Sequence, residues 1–246
     1  MLNARRAAVL LAAVLAAAGT ARLGVWQLDR ADQKNRLHDA QQRQRQLPPV
    51  PQAALAREAT ATARQLHRAV TLQGQWLPGY TVFLENRQMN GRPGFYAVTP
   101  LRLDDGSVVL VQRGWVPRDL LDRTRIVLPP VPAGVVSVQG RIALGPGRLY
   151  DFAGAASGPI RQNLEIDVFA NETGLPLRPL TVVQEDGTTP PADGLQRQWP
   201  QPAADVSKHY GYAFQWFALC TLILGLYAWF QLLRPALART RARTHA

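Results

Sequence analysis

Histidine and sulfur side chains are the residues of this chain best suited to hold a metal, so their spacing is tested first. His38, His67, His209 and His245 are too scattered for the ligand spacing of a zinc site. A copper carrier needs clustered thiolate, thioether or imidazole ligands. Met1, Met89 and Cys220 supply the only sulfur, and they do not cluster. Hydrolytic signatures are missing too: there is no G-x-S-x-G, and Ser207 beside His209 is the one serine with a histidine nearby. The carboxylates of Asp104 and Asp105 precede Gly106 and read as solvated turn residues. Gly145-Pro146-Gly147, a lone G-x-G with no helix after it, reads as a turn. No constellation for bond-making catalysis emerges, and the chain is expected not to be an enzyme.

One stretch keeps chemical interest. KHYGYAFQWF, residues 208 to 217, places His209, Tyr212 and Trp216 at the entrance of a long apolar run. On a helix, His209, Tyr212 or Ala213, and Trp216 share a face, and Cys220 continues it one turn deeper. At the matching depth the other apolar block ends with Arg22, Trp26, Gln27 and Arg30. Two readings of these clusters stand side by side. In one, Lys208 and His209 mark a membrane interface, with tyrosine and tryptophan as its aromatic belt. In the other they form a haem site: imidazole is an axial ligand for iron, aromatic rings pack on porphyrin, and arginines pair with propionates.

Both readings require two membrane helices. The first apolar block, Ala7 to Val25, has 19 residues broken only by Arg22, and the second, Tyr210 to Leu233, carries no formal charge. Each is long enough to cross a hydrocarbon core. A cleavable signal peptide competes for the first block, because Arg5 and Arg6 precede it and Ala16, Ala17 and Ala18 suit a cleavage site. The continuation LGVWQLDR, with Trp26 at interface depth, suits a retained helix better. Arg5 and Arg6 before the first span, and Arg234, Arg239, Arg241 and Arg243 after the second, predict that both termini are cytoplasmic. The segment between the spans is then periplasmic, in the inner membrane of a bacterium.

The charge balance agrees with that arrangement. Of the overall +11, residues 30 to 208 hold 21 Lys and Arg against 16 Asp and Glu, so no strong basic excess is left for nucleic acid. A single cysteine excludes an intrachain disulfide framework.

The expected organisation is a cytoplasmic N-terminus (1–6), a first transmembrane helix (7–26), a helical stalk (27–66), a β-rich periplasmic domain (67–208), a second transmembrane helix (209–233) and a basic cytoplasmic tail (234–246). Gln27 to Gln46 contains neither Pro nor Gly and predicts a polar helix stopped at Leu47-Pro48-Pro49, with a short helix following in 52–65. From His67 the texture alternates: HRAVTLQGQW, YTVFLEN, GFYAVTPLRL, SVVLVQRGWV, GVVSVQGRI and LTVVQE predict strands, with turns at Asn90-Gly91 and Asp104-Asp105-Gly106. LEIDVFANET before Gly174 predicts a helix. The fold class is therefore α+β: two transmembrane helices flanking a small antiparallel β-barrel or sandwich with a helical stalk.

Four of these stretches carry a family resemblance. LGVWQLDRADQKNRL resembles the LGxWQxxR pattern of the Surfeit locus protein 1 family, and RAVTLQGQW resembles its V-x-x-x-G-x-[WF] strand. GFYAVTPLRLDDGSVVLVQRGWVP is similar to that family's TPL strand, turn and RGWVP strand. QWPQPAADVSKHYGYAFQWF resembles its H-x-x-YA-x-QWF entrance to the second span, although Lys208 stands where members often have Asn. All four occur in the family's order, between two spans.

The resemblance implies a cytochrome c oxidase assembly factor that binds haem a through the histidine matching His209 and aids its delivery to oxidase subunit I, with haem a synthase as a further partner. Trp216, Tyr212, Arg22, Trp26 and Arg30 are then candidates to line the haem pocket. A cofactor-free membrane scaffold that stabilises an assembly intermediate is the alternative. In the loop motifs, Gly74, Gly114 and Trp115 are expected to serve the barrel, whereas Arg113, read as a charge at its rim, is a candidate to meet a partner or a propionate.

Overall fold

No proline occurs before Pro48, and the helix this permits runs unbroken from Ala4 to Gln46 in the computed structural model (α1). The structure describes residues 4–119, 121–122, 126, 131–149, 158–187, 193–200, 206–235 and 237. Arg239, Arg241 and Arg243, on which part of the expected orientation rests, lie outside them. The chain forms two compact units, Met1–Asp39 with Gln201–Ala246, and Ala40–Pro200.

The first unit contains the N-terminal part of α1 and the helix Val206–Tyr227, which continues as a π-helical stretch, Ala228–Leu233 (together α4). Both helices are long and apolar enough to cross a membrane. α4 starts three residues before the expected 209, so Lys208 and His209 sit within its first turn.

The second unit is built on seven strands: β1 (Ala69–Trp76), β2 (Val82–Met89), β3 (Arg92–Leu103), β4 (Val108–Pro117), β5 (Val135–Ala143), β6 (Ile160–Arg161) and β7 (Leu177–Gln184). Their order is β1-β5-β7-β4-β3-β2-β6, and β1 also pairs with β3. β1, β5, β7, β4 and β3 thus close a five-stranded barrel, and β2 and β6 extend it beyond β3. The expectation of an antiparallel barrel is corrected at two places, because β4·β7 and β2·β6 are parallel. The first follows from closure: directions cannot alternate all the way round a ring with an odd number of strands. Six strands match the alternating segments in the sequence. β6, two residues long, is too short to leave a periodic signal.

Both turns are as expected. Asn90 and Gly91 have φ of 51° and 75°, the doubly left-handed pattern that joins twisted strands in a two-residue hairpin. Helix α3 (Ile166–Thr173) ends on Gly174 at φ 69°, whose N–H donates to the Ala170 carbonyl. The polar helix expected from Gln27 ends at Gln46, and the residues read as the rest of the stalk pack on the barrel. Val50 bridges to Val70, and Val50, Leu55 and Ala56 are buried with Leu72, Leu101, Val111 and Leu180 in the barrel core. Helix α2 (Ala59–Gln65) joins them through Thr62, whose hydroxyl donates to the Pro179 carbonyl. Val50, Leu55 and Ala56, with Ala61 packed beside them, are the apolar residues of 47–66 that cover strand side chains.

Candidate functional site

The face of α4 that touches α1 repeats at three and four residues: His209, Ala213, Trp216, Cys220 and Ile223 are its less exposed positions. On α1 the matching line is Ala13, Ala17, Thr20, Gly24, Gln27 and Ala31, nearly all small. Such a repeat forms the seam of a helix pair, and small side chains let backbones approach where lipid gives no hydrophobic drive. Contacts along it are antiparallel. Cys220 Sγ lies 3.4 Å from the Ala17 carbonyl oxygen, and the Asn35 amide donates to the Tyr210 hydroxyl at 3.2 Å. Gly24 is tightly packed: a Cβ there would stand 2.8 Å from the Phe217 ring. The seam is therefore filled by protein and holds no porphyrin-wide space at that level.

At its polar end, His209 Nδ1 lies 2.7 Å from Gln27 Oε1. The ring is half-buried. An amide oxygen only accepts, so with Oε1 in this position the neutral ring carries its proton on Nδ1 and its lone pair on Nε2, the form of imidazole that ligates a metal.

The other candidates separate. Trp216 lies on the seam, but position 212 does not; Ala213 takes the buried place, and Tyr212 is exposed. Arg22, Trp26 and Arg30 recur every fourth residue on a face of α1 turned away from Gly24 and Ala31, with Arg30 stacked over the Trp26 ring at 5.6 Å. They form a stripe of their own and do not join His209. The expected meeting of the two clusters is corrected by helical phase: Trp26 is two residues from Gly24, and two steps of about 100° carry it to the other side. A separate apolar groove on α4, about 650 Å³, runs past Phe214, Ala218 and Leu222. Its one polar side chain, Thr221, is bonded to the Phe217 carbonyl, so the groove offers iron no ligand.

In the β domain the candidates are held inside. Arg113, expected at a rim, is 2 % exposed. It is the extra residue of a bulge, because Ala97 pairs with Gly114 while Val98 pairs with Gln112, and a bulge re-aims a side chain. Its guanidinium lies 5.0 Å from the Trp76 ring centre and 3.4 Å from Asp193. Asp193 is shared with Arg197 at 2.5 Å. Burial weakens the proton affinity of Arg113, Asp193 opposes that, and Arg197 adds to it.

Trp115 is fully buried, and its indole N–H donates to the Arg87 carbonyl at 2.9 Å. Gly74 and Gly114 allow close approach. A Cβ on Gly74 would lie 2.4 Å from the Arg102 carbonyl oxygen, and one on Gly114 would lie 2.6 Å from Leu195 Cβ. Asp105 is no idle turn residue: it pairs with buried Arg178 at 2.6 Å and with Arg57 at 2.7 Å. Bonding to the Ser107 hydroxyl, then these cations, holds its carboxyl below the usual range against the opposing effect of burial.

Residues the sequence reading passed over include Gly94, packed on the Trp115 ring, and Asp193 and Arg197. Only Gly94 left a signal, as a glycine opening a strand opposite RGWVP. Among the described residues no group of three or more His, Cys, Asp or Glu could hold a metal ion.

Comparison with known proteins gives a consistent picture. The family model described as SURF1 family matches residues 14–221. A SURF1-like protein of Rickettsia bellii is 24 % identical over 211 residues, covering 83 % of each chain. An uncharacterized SURF1-like protein of Mycobacterium tuberculosis is 30 % identical over 121 residues, 49 % of this chain and 44 % of that one. The cytochrome oxidase assembly protein SHY1 of Saccharomyces cerevisiae is 33 % identical over 97 residues, 38 % of this chain and 24 % of the yeast protein. The matched stretch thus spans less than half of the mycobacterial and yeast relatives.

Proposed function

The chain belongs to the SURF1 family, and we propose that it is an assembly factor for cytochrome c oxidase, rather than an enzyme, that holds haem a through His209 and hands it to subunit I. The assembly role is supported by the family match and by the name of the yeast relative. The ligand role rests on one observation: the 2.7 Å contact from His209 Nδ1 to Gln27 Oε1, which leaves Nε2 as a donor at the polar end of an apolar helix pair. The residues fit a histidine that would hold haem iron at the polar end of the pair, with Trp216 two turns along the same face of α4. They do not fit a macrocycle sandwiched at the level of Gly24 and Phe217. Both helices span the inner membrane of a bacterium, the termini are cytoplasmic, and the β domain docks in the periplasm on subunit I or on haem a synthase.

Protein purified from cells making haem a should carry its absorption band, and His209→Ala should abolish or strongly weaken it. Unchanged haem content in that variant removes the ligand assignment. A cofactor-free scaffold is the second reading, favoured by the filled seam and by the outward stripe of Arg22, Trp26 and Arg30. It requires that His209→Ala still supports oxidase assembly while damage to the Arg113–Pro117 block does not.

A further inference from the structure

The 2.7 Å contact between α1 and α4 involves a residue with no role so far. Gln27 carries an amide that, on a lipid-facing helix surface, would be costly to leave without a partner. It lies on the seam line of α1, four residues from Ala31 and three from Gly24, on the side where the Phe217 ring of α4 packs against Gly24. There its Oε1 meets His209 Nδ1 at 2.7 Å.

We infer that Gln27 is the positioning residue of the His209 site: its Oε1 fixes the Nδ1–H tautomer, holds the ring, and leaves Nε2 as the donor toward haem iron. This rests on His209 being the haem ligand. Metal-bound histidines almost always donate their second ring N–H to an oxygen that sets tautomer and orientation, and losing that oxygen typically lowers affinity about 10–100-fold. A neutral amide also gives the imidazole less anionic character than a carboxylate would, which suits a ligand that must let its cargo go. Because the acceptor is on α1 and the ring on α4, the prepared donor exists only while the two helices are paired. Binding and helix pairing are thereby coupled.

The test uses the full chain in lipid nanodiscs, first without haem. Nitrogen-15 NMR of histidine-labelled protein, with the His209 signals assigned by subtraction of His209→Ala, should show Nδ1–H and a bare Nε2. Gln27→Ala should move the proton toward Nε2, and Gln27→Glu, which keeps the acceptor, should restore Nδ1–H. With haem a added, Gln27→Ala should bind about 10–100-fold more weakly than wild type, and Gln27→Glu should recover affinity with a lower reduction potential.

A wild-type ring protonated on Nε2, as a flipped amide donating to Nδ1 would produce, overturns the inference. So does a tautomer unchanged by Gln27→Ala, or wild-type haem affinity in that variant when His209→Ala has lost haem. If His209→Ala keeps its haem, the ligand reading falls, and the tautomer measurement alone decides the role of Gln27.

Discussion

Adding one methyl group at Gly94 should cost the β domain a large part of its stability. A Cβ there would stand 2.2 Å from the Val116 carbonyl oxygen and 2.4 and 2.5 Å from two atoms of the Trp115 ring. The oxygen belongs to the β3·β4 ladder, where Phe95 pairs with Val116 and Tyr96 with Trp115, so it cannot retreat without breaking register. The ring is fully buried and tied through its N–H to the Arg87 carbonyl. Overpacking of this kind costs about 1–3 kcal/mol. Displacing the indole forfeits a hydrogen bond worth about 1 kcal/mol more. Together they lower the melting temperature of a unit this size by about 5–15 °C.

The assay is thermal unfolding of the full chain in detergent, followed by near-ultraviolet circular dichroism, with Gly79→Ala as control. An added Cβ at Gly79 meets nothing within 4 Å, so that change should stay within about 0.5 kcal/mol. Trp115→Phe in the Gly94→Ala background should cost less than the same change in wild type, because the smaller ring removes part of the clash. A Gly94→Ala protein melting within about 2 °C of wild type would refute the claim that β3 and β4 are locked together here.

Other outcomes follow from the same contacts. Gly24→Leu should weaken pairing of α1 and α4 by about 1–3 kcal/mol, read by disulfide cross-linking of cysteines placed along the seam, and Phe217→Ala should partly restore it. Asp105→Ala leaves buried Arg178 without its carboxylate and should destabilise the domain by about 1.5–3 kcal/mol in chemical unfolding. Glu172 is held below its ordinary range by its hydrogen bonds to Arg161, so its contribution is complete above the unfolded carboxyl value of 4.5 and is lost as pH falls through the folded one. Glu172→Gln should flatten the acid limb of a stability-against-pH curve. His67 is lowered from 6.5 by burial, then by Arg141 and Arg45, while Glu185 pairs with Arg141 on the same side. This partial burial and the two cations favour the neutral ring, so stability is full above about 6.5 and declines as pH falls from there through the folded value. His67→Asn tolerates the φ of 66° and should remove that slope.

Local signals carried much of this protein. The two apolar blocks, the six alternating segments, the Asn90-Gly91 turn and the Gly174 helix stop depend on neighbours in the chain, and each could be read from residue order alone. The face His209–Ala213–Trp216–Cys220 was legible too, because helical phase is arithmetic on one segment. What the chain order left open was every question about which face meets which. Whether Arg22, Trp26 and Arg30 turn toward His209 depends on how α1 is rotated against α4, and the small residues Ala17, Gly24 and Ala31 settled that rotation by allowing contact only on their own side. Arg113 reads as a rim charge until a bulge, created by pairing β3 with β4, swings it inward to Trp76 and Asp193. Val50 and Leu55 read as stalk until the barrel closes and offers them a core. Gln27 became a partner of His209 only through close packing of residues 182 positions apart, a distance across which no local preference acts.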